Sequence, residues 1–109
     1  MTTEEFCVVL TTTDSEENVE RIANVVLEKQ LAACVQILLI RSNYTWKGRI
    51  ESNQEFLTLT KAKASDFADL EDAITSVHAY DVPEVISLPG TKGSAAYLDW
   101  IASSTRARS

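Results

Sequence analysis

The stretch SNYTWKGRIE, residues 42–51, decides how this chain folds. Lys47-Gly48-Arg49 reads as a turn, because Gly48 can take the positive φ that a tight reversal needs. The residues on either side run without another turn signal, from Ala32 to Trp46 and from Ile50 to Lys63. Each run is more than twice the usual strand length of about 5–6 residues. A hairpin that long must project beyond its sheet. Tyr44 and Trp46 sit just before the turn, where small polar residues are the norm. A lone two-stranded ribbon is marginally stable in water, so these two rings need something to lie on.

Working outward, Glu4 to Thr12 (EFCVVLTTT) is rich in β-branched residues and reads as a strand. Asp14 or Ser15 supplies the N-cap of a first helix, with Glu16 and Glu17 at its positive end. Val19, Ile22, Ala23, Val26 and Leu27 form its apolar stripe, and it should end near Gln30. Downstream, Ser65 is positioned to cap a second helix carrying Phe67, Leu70, Ile74 and Val77. Pro83 stops any helical continuation, Val82 to Leu88 reads as a fourth strand, and Pro89-Gly90 should break it. A last helix from about Ser94 places Tyr97, Leu98 and Ile101 on one side, with Trp100 adjacent.

The order is β-α-β-β-α-β followed by a helix. That is the α+β, ferredoxin-like arrangement: an antiparallel sheet with two helices on one face. At 109 residues the chain fits a single domain over residues 1–109. Val35, Ile37 and Leu39 alternate with Cys34, Leu38 and Ile40, so both faces of the second strand are apolar. Two helices cover only one of them. A neighbouring copy is the economical cover for the other, the alternative being that the last helix folds beneath the sheet.

A hydrophobic content of 45% and a charged content of 24% are ordinary for a soluble globular protein. The acidic opening Met1-Thr2-Thr3-Glu4-Glu5 does not resemble a secretory leader. The longest apolar run, Leu31 to Ile40, contains Gln36 and falls short of the roughly 20 residues that span a bilayer. No membrane partner and a cytoplasmic location are therefore expected. The net charge of −6 counts against a nucleic-acid partner, and two arginines on the tail, Arg106 and Arg108, do not make a concentrated basic face. Cys7 and Cys34 form no CxxC pair and read as free, buried thiols.

No nucleotide-binding, phosphate-loop or zinc-protease motif is present, and the 16 carboxylates fall mostly on helix faces. No enzymatic activity is expected. The stretch densest in ligand atoms is HAYDVPE, residues 78–84, with His78, Tyr80, Asp81 and Glu84. Imidazole beside carboxylate suits Cu(II) or Zn(II). Alternatively, His78 closes the second helix and complements the negative end of its dipole.

Five blocks taken together resemble one family. They are VLEKQLAACVQI (26–37), SNYTWKGRIE (42–51), EFLTLTKA (55–62), HAYDVPEVISLP (78–89) and YLDWI (97–101). The chain is similar, from Val8 to about Ile101, to the CutA family of divalent-cation tolerance proteins. The resemblance implies a ferredoxin-like subunit assembled as a homotrimer like the PII signalling proteins. Each long hairpin would then reach onto the next subunit, with Tyr44 and Trp46 at the trimer interface. It also implies binding of copper or another divalent cation, with His78 as the metal residue. By analogy with the PII architecture, an intersubunit pocket near Lys61, Tyr80 and Glu84 would take an anionic or polar metabolite; a third reading is a scaffold whose trimer is its function. Members proposed to bind copper offer a cysteine at the end of the first strand and paired histidines before a "PY" motif. Thr11 and Val77 stand at those places here, and Ala79 replaces the proline.

Overall fold

A computed structural model describes residues 4–107. Met1 to Thr3 and Arg108, which figured in the readings of the leader and the basic tail, lie outside the described residues. Strand β1 (Phe6–Thr13) leads into helix α1 (Glu16–Glu28). Strands β2 (Cys34–Trp46) and β3 (Arg49–Lys63) form the long hairpin. Helix α2 (Phe67–Val77), strand β4 (Ile86–Gly90) and helix α3 (Ala95–Ser104) complete the chain. The sheet order is β2-β3-β1-β4, with every neighbouring pair antiparallel. This is the ferredoxin-like α+β fold that the sequence predicts.

Ser15, not Asp14, caps α1: its hydroxyl accepts from the Asn18 N–H at 3.1 Å. The other end closes by two backbone bonds, Gln30 N–H to Leu27 O at 3.0 Å and Leu31 N–H to Val26 O at 3.0 Å. Those bonds define a Schellman cap, which needs a left-handed residue after the helix. Gln30 fills that place at φ 58, where glycine carries no Cβ penalty. We expect Gln30→Gly to stabilise the fold by about 0.5–1 kcal/mol, read as a higher urea midpoint. A lower midpoint would show that the glutamine side chain outweighs its strained backbone.

The hairpin turn is shorter than expected. Strand pairing runs to Trp46 and Arg49, leaving Lys47-Gly48 as a two-residue loop with φ of 51 and 75. Two positive φ values match the handed twist of the flanking strands. Ser65 does not cap α2. A 3-10 turn (Ala64–Asp66) precedes the helix instead, and Asp66 turns its carboxylate to the Arg106 guanidinium. The Arg106 N–H also donates to Gln30 O at 2.8 Å, so the segment after α3 straps across the ends of α1 and α2.

The fourth strand begins later than predicted, and it takes in Pro89 and Gly90 before ending at Gly90. It pairs only with β1, and an edge strand tolerates a missing N–H. Residues 82–85 remain a loop.

The core lies between α1, α2 and one sheet face: Val9, Ile22, Val26, Ala62, Leu70 and Ile74 are each fully buried. Alternation along the strands puts Val8, Leu38, Leu57 and Leu88 on the opposite face. Helix α3 reaches that face near Lys61, whose Nζ lies 5.6 Å from the Tyr97 ring centroid. Its cover is partial, because Leu38, Ile86 and Leu88 stay exposed. The hairpin makes the molecule 48 Å long against 25 and 20 Å in the other directions. Toward its tip Leu39 is 61% exposed, Trp46 54% and Ile50 86%.

Candidate functional site

Where the hairpin leaves the sheet, one cavity of about 470 Å³ opens. The end of β1 supplies Thr12, β2 supplies Tyr44 and Trp46, and β3 supplies Glu55. The loop after α2 adds Tyr80, Asp81, Val82 and Glu84. Strand alternation explains the convergence. Thr12, Tyr44, Trp46 and Glu55 all belong to the face turned away from α1 and α2.

Glu55 is buried, and its Oε2 accepts a hydrogen bond of 2.7 Å from the Tyr80 hydroxyl. The Tyr44 hydroxyl accepts from the Asn53 side-chain amide. Burial, and then the Glu55 carboxylate beside it, push the Tyr80 hydroxyl well above the usual phenol range. Glu84 is an exposed residue, yet partial desolvation of its carboxyl, followed by repulsion from Glu55, raises its pKa too. Tyr80 therefore stays a neutral donor at ordinary pH.

His78 holds the loop rather than entering the cavity. Its Nδ1 accepts from the Tyr80 N–H at 3.0 Å, which fixes the proton on Nε2, and Nε2 donates to Thr12 O at 2.9 Å. Burial lowers its pKa, against the opposing pull of the Thr12 carbonyl and of Glu55 and Asp14. The ring is thus neutral near pH 7. The expected cationic complement to the helix dipole is not realised.

Asn18 completes this support. Its Oδ1 accepts from Thr13 Oγ1 at 2.8 Å and from the Ala79 N–H at 3.1 Å, while its Nδ2 donates to Val77 O at 2.8 Å. One buried amide thereby ties β1, α1 and the end of α2 together.

A resident divalent cation needs lone pairs, and both imidazole nitrogens are engaged. Thr11 is buried in the sheet, and Val77 packs against the core. Among the described residues, no three His, Cys, Asp or Glu side chains are grouped to hold a metal ion. His78 with its neighbours in one chain does not fit a bound copper ion.

Of the residues singled out from the sequence, Tyr44, Trp46, Tyr80, Asp81 and Glu84 come together at the cavity. Lys61 does not. It lies six positions along β3 from Glu55, roughly 20 Å at strand rise, paired with Val8 and Cys34. Glu55 and Asn18 escaped the sequence reading. The signal for Glu55 was its alternation with Leu57 and Leu59, which puts a carboxylate on an apolar face. Asn18 gave none, since two of its three side-chain partners, Val77 and Ala79, are 59 and 61 positions away.

The imidazole makes a testable pH contribution. Its folded pKa lies below the ordinary 6.5, so on acidification the unfolded chain takes up the proton first. The contribution is complete above 6.5 and is lost as pH falls toward the folded value. Glu84 has the opposite sign, because its raised carboxyl pKa costs stability as pH rises above 4.5. We expect the melting temperature to fall between pH 7 and pH 5.5, and His78→Gln, which keeps one donor and one acceptor, to flatten that fall. An unchanged slope in His78→Gln would contradict the assignment.

A ferredoxin-like sheet, an overlong hairpin and an aromatic–carboxylate cavity at its root define a class of small α+β proteins. Residues 7–104 match the family model described as CutA1 divalent ion tolerance protein. The chain is 42% identical over 100 residues to "Protein CutA, chloroplastic" of Arabidopsis thaliana, covering 91% of this chain and 55% of that protein. It is 40% identical over 99 residues to "Divalent-cation tolerance protein CutA" of Thermus thermophilus, covering 90% and 96%. The crystal structure of CutA1 from Oryza sativa superposes with a TM-score of 0.92 at 38% identity, covering 97% and 98% of the two chains. The chain belongs to the CutA1 divalent ion tolerance family. It spans about half of the Arabidopsis relative and nearly all of the Thermus one.

Proposed function

We propose that this chain serves divalent-cation tolerance as a cytoplasmic homotrimer. It acts by binding a small ligand in the cavity at the hairpin root, and not by holding copper on His78. One observation carries this reading. The cavity opens on the sheet face turned away from α1 and α2, the face on which Leu38, Trp46 and Ile86 stay exposed, at the foot of a ribbon whose tip residue Ile50 is exposed as well. An apolar surface this extensive marks an interface. Three copies arranged so that each hairpin lies on its neighbour would cover it and turn the cavity into a site between subunits, as in the PII architecture. The reading assigns the protein no reaction.

The free thiols Cys7 and Cys34 suit a reducing compartment, which is the ground for the cytoplasmic placement. Hydrogen exchange tests the assembly: amides of residues 36–52 and 80–88 should gain protection at high protein concentration and lose it on dilution. Protection that ignores concentration would sink the idea. For copper, calorimetric titration with Cu(II) should give the same isotherm for the wild type and His78→Ala. Saturable binding near one ion per subunit, lost in the variant, would return the function to His78.

A further inference from the structure

We propose that the cavity at the hairpin root is a binding site for a free alkylammonium ion. The proposal deepens the reading above, since it names the ligand class of the same site.

The lining decides the sign of the charge. Glu55, Asp81 and Glu84 contribute carboxylates, and among the described residues no Lys, Arg or His lines the cavity. Glu55 is 8% exposed, so one of these carboxylates is nine-tenths buried, with a neutral phenol as its hydrogen-bonding partner. A buried carboxylate without a cationic partner favours a positive ligand. An anionic metabolite, one of the two kinds expected from PII-like architecture, would meet repulsion from these carboxylates.

The walls decide the kind of cation. Tyr44, Trp46 and Tyr80 bring three aromatic rings to the same cavity. A hydrated divalent ion gains little from ring faces and needs several oxygens in one coordination shell. No such grouping of three exists among the described residues. An alkylammonium sheds water more readily, sets its N–H donors on a carboxylate and its stem along the rings. The Trp46 ring already attracts such a group, because the Lys47 ammonium lies 5.8 Å from its centroid. A volume of about 470 Å³ suits a small organic molecule.

Trp46 is also the reporter. In a Trp100→Phe background it is the only tryptophan, so its fluorescence reads the cavity directly. The protein is titrated with n-butylammonium chloride, with sodium n-butyrate and sodium chloride as matched controls, while its solution mass is followed. The expected result is a saturable change with butylammonium alone, weakened roughly tenfold or more by Glu55→Gln. Glu84→Gln should weaken it as well, and it keeps the test decisive if Glu55→Gln does not fold. No saturable change with butylammonium, an equal response to butyrate, or binding undiminished in both variants would overturn the proposal. So would a silent wild type whose Glu55→Gln variant loses assembly, since a neighbour's cationic side chain would then fill the site. Butylammonium binding to a protein that stays monomeric would support the ligand class and remove only the assembly on which the proposed function depends.

Discussion

Trp46→Ala should weaken self-association by about 3–5 kcal/mol for each ring that the assembly buries. The single chain leaves this ring 54% exposed near the tip of the long ribbon. Truncating it removes a large apolar body from the proposed contact and leaves a void that the neighbour cannot fill. Tyr44 is less sensitive, because its hydroxyl is already held by Asn53 within the hairpin. Sedimentation over a dilution series measures the effect as a shift of the association midpoint to higher concentration. A midpoint that does not move would mean that the ring faces solvent in the assembly.

Ile74→Ala should lower folding stability by about 2–5 kcal/mol. Ile74 is completely buried in the cluster that joins α1 and α2 to the sheet, with Ile22, Val26 and Leu70 as fellow members. Nothing nearby is free to collapse into the space, since Ile22, Leu70 and Val9 are themselves closed off from solvent. Urea unfolding at one fixed protein concentration gives the number without the mass-action term that assembly adds. A loss below about 1 kcal/mol would show that the core repacks around the missing atoms.

Periodicity made the scaffold legible. Val19, Ile22, Ala23 and Val26 announced α1, and the uninterrupted run to Trp46 announced the long ribbon, because both patterns are local. Where the reading failed, a distant partner decided. Val82 to Val85 were read as strand and form a loop, while Pro89 lies within β4, which only the sheet order reveals to be an edge. Asp66 displaced Ser65 at the start of α2 because Arg106, 40 positions away, draws its carboxylate.

The candidate site divides in the same way. The loop residues Tyr80 and Glu84, four positions apart in sequence, were found together, while Glu55 entered only through pairing register. His78 lies beside the cavity with both ring nitrogens hydrogen-bonded. Composition marks an imidazole as a ligand, but whether its lone pair is free depends on the Thr12 carbonyl and the Tyr80 amide, and folding places both against the ring. The lone histidine is a latch on the cavity's loop.

The most direct measurement is the solution mass of the wild-type protein by sedimentation, from micromolar concentration downward. A single species at three times the 12.1 kDa chain mass, dissociating only on dilution, is the predicted result. A monomer throughout that range would leave the hairpin and the open sheet face uncovered, and would contradict a site shared between subunits.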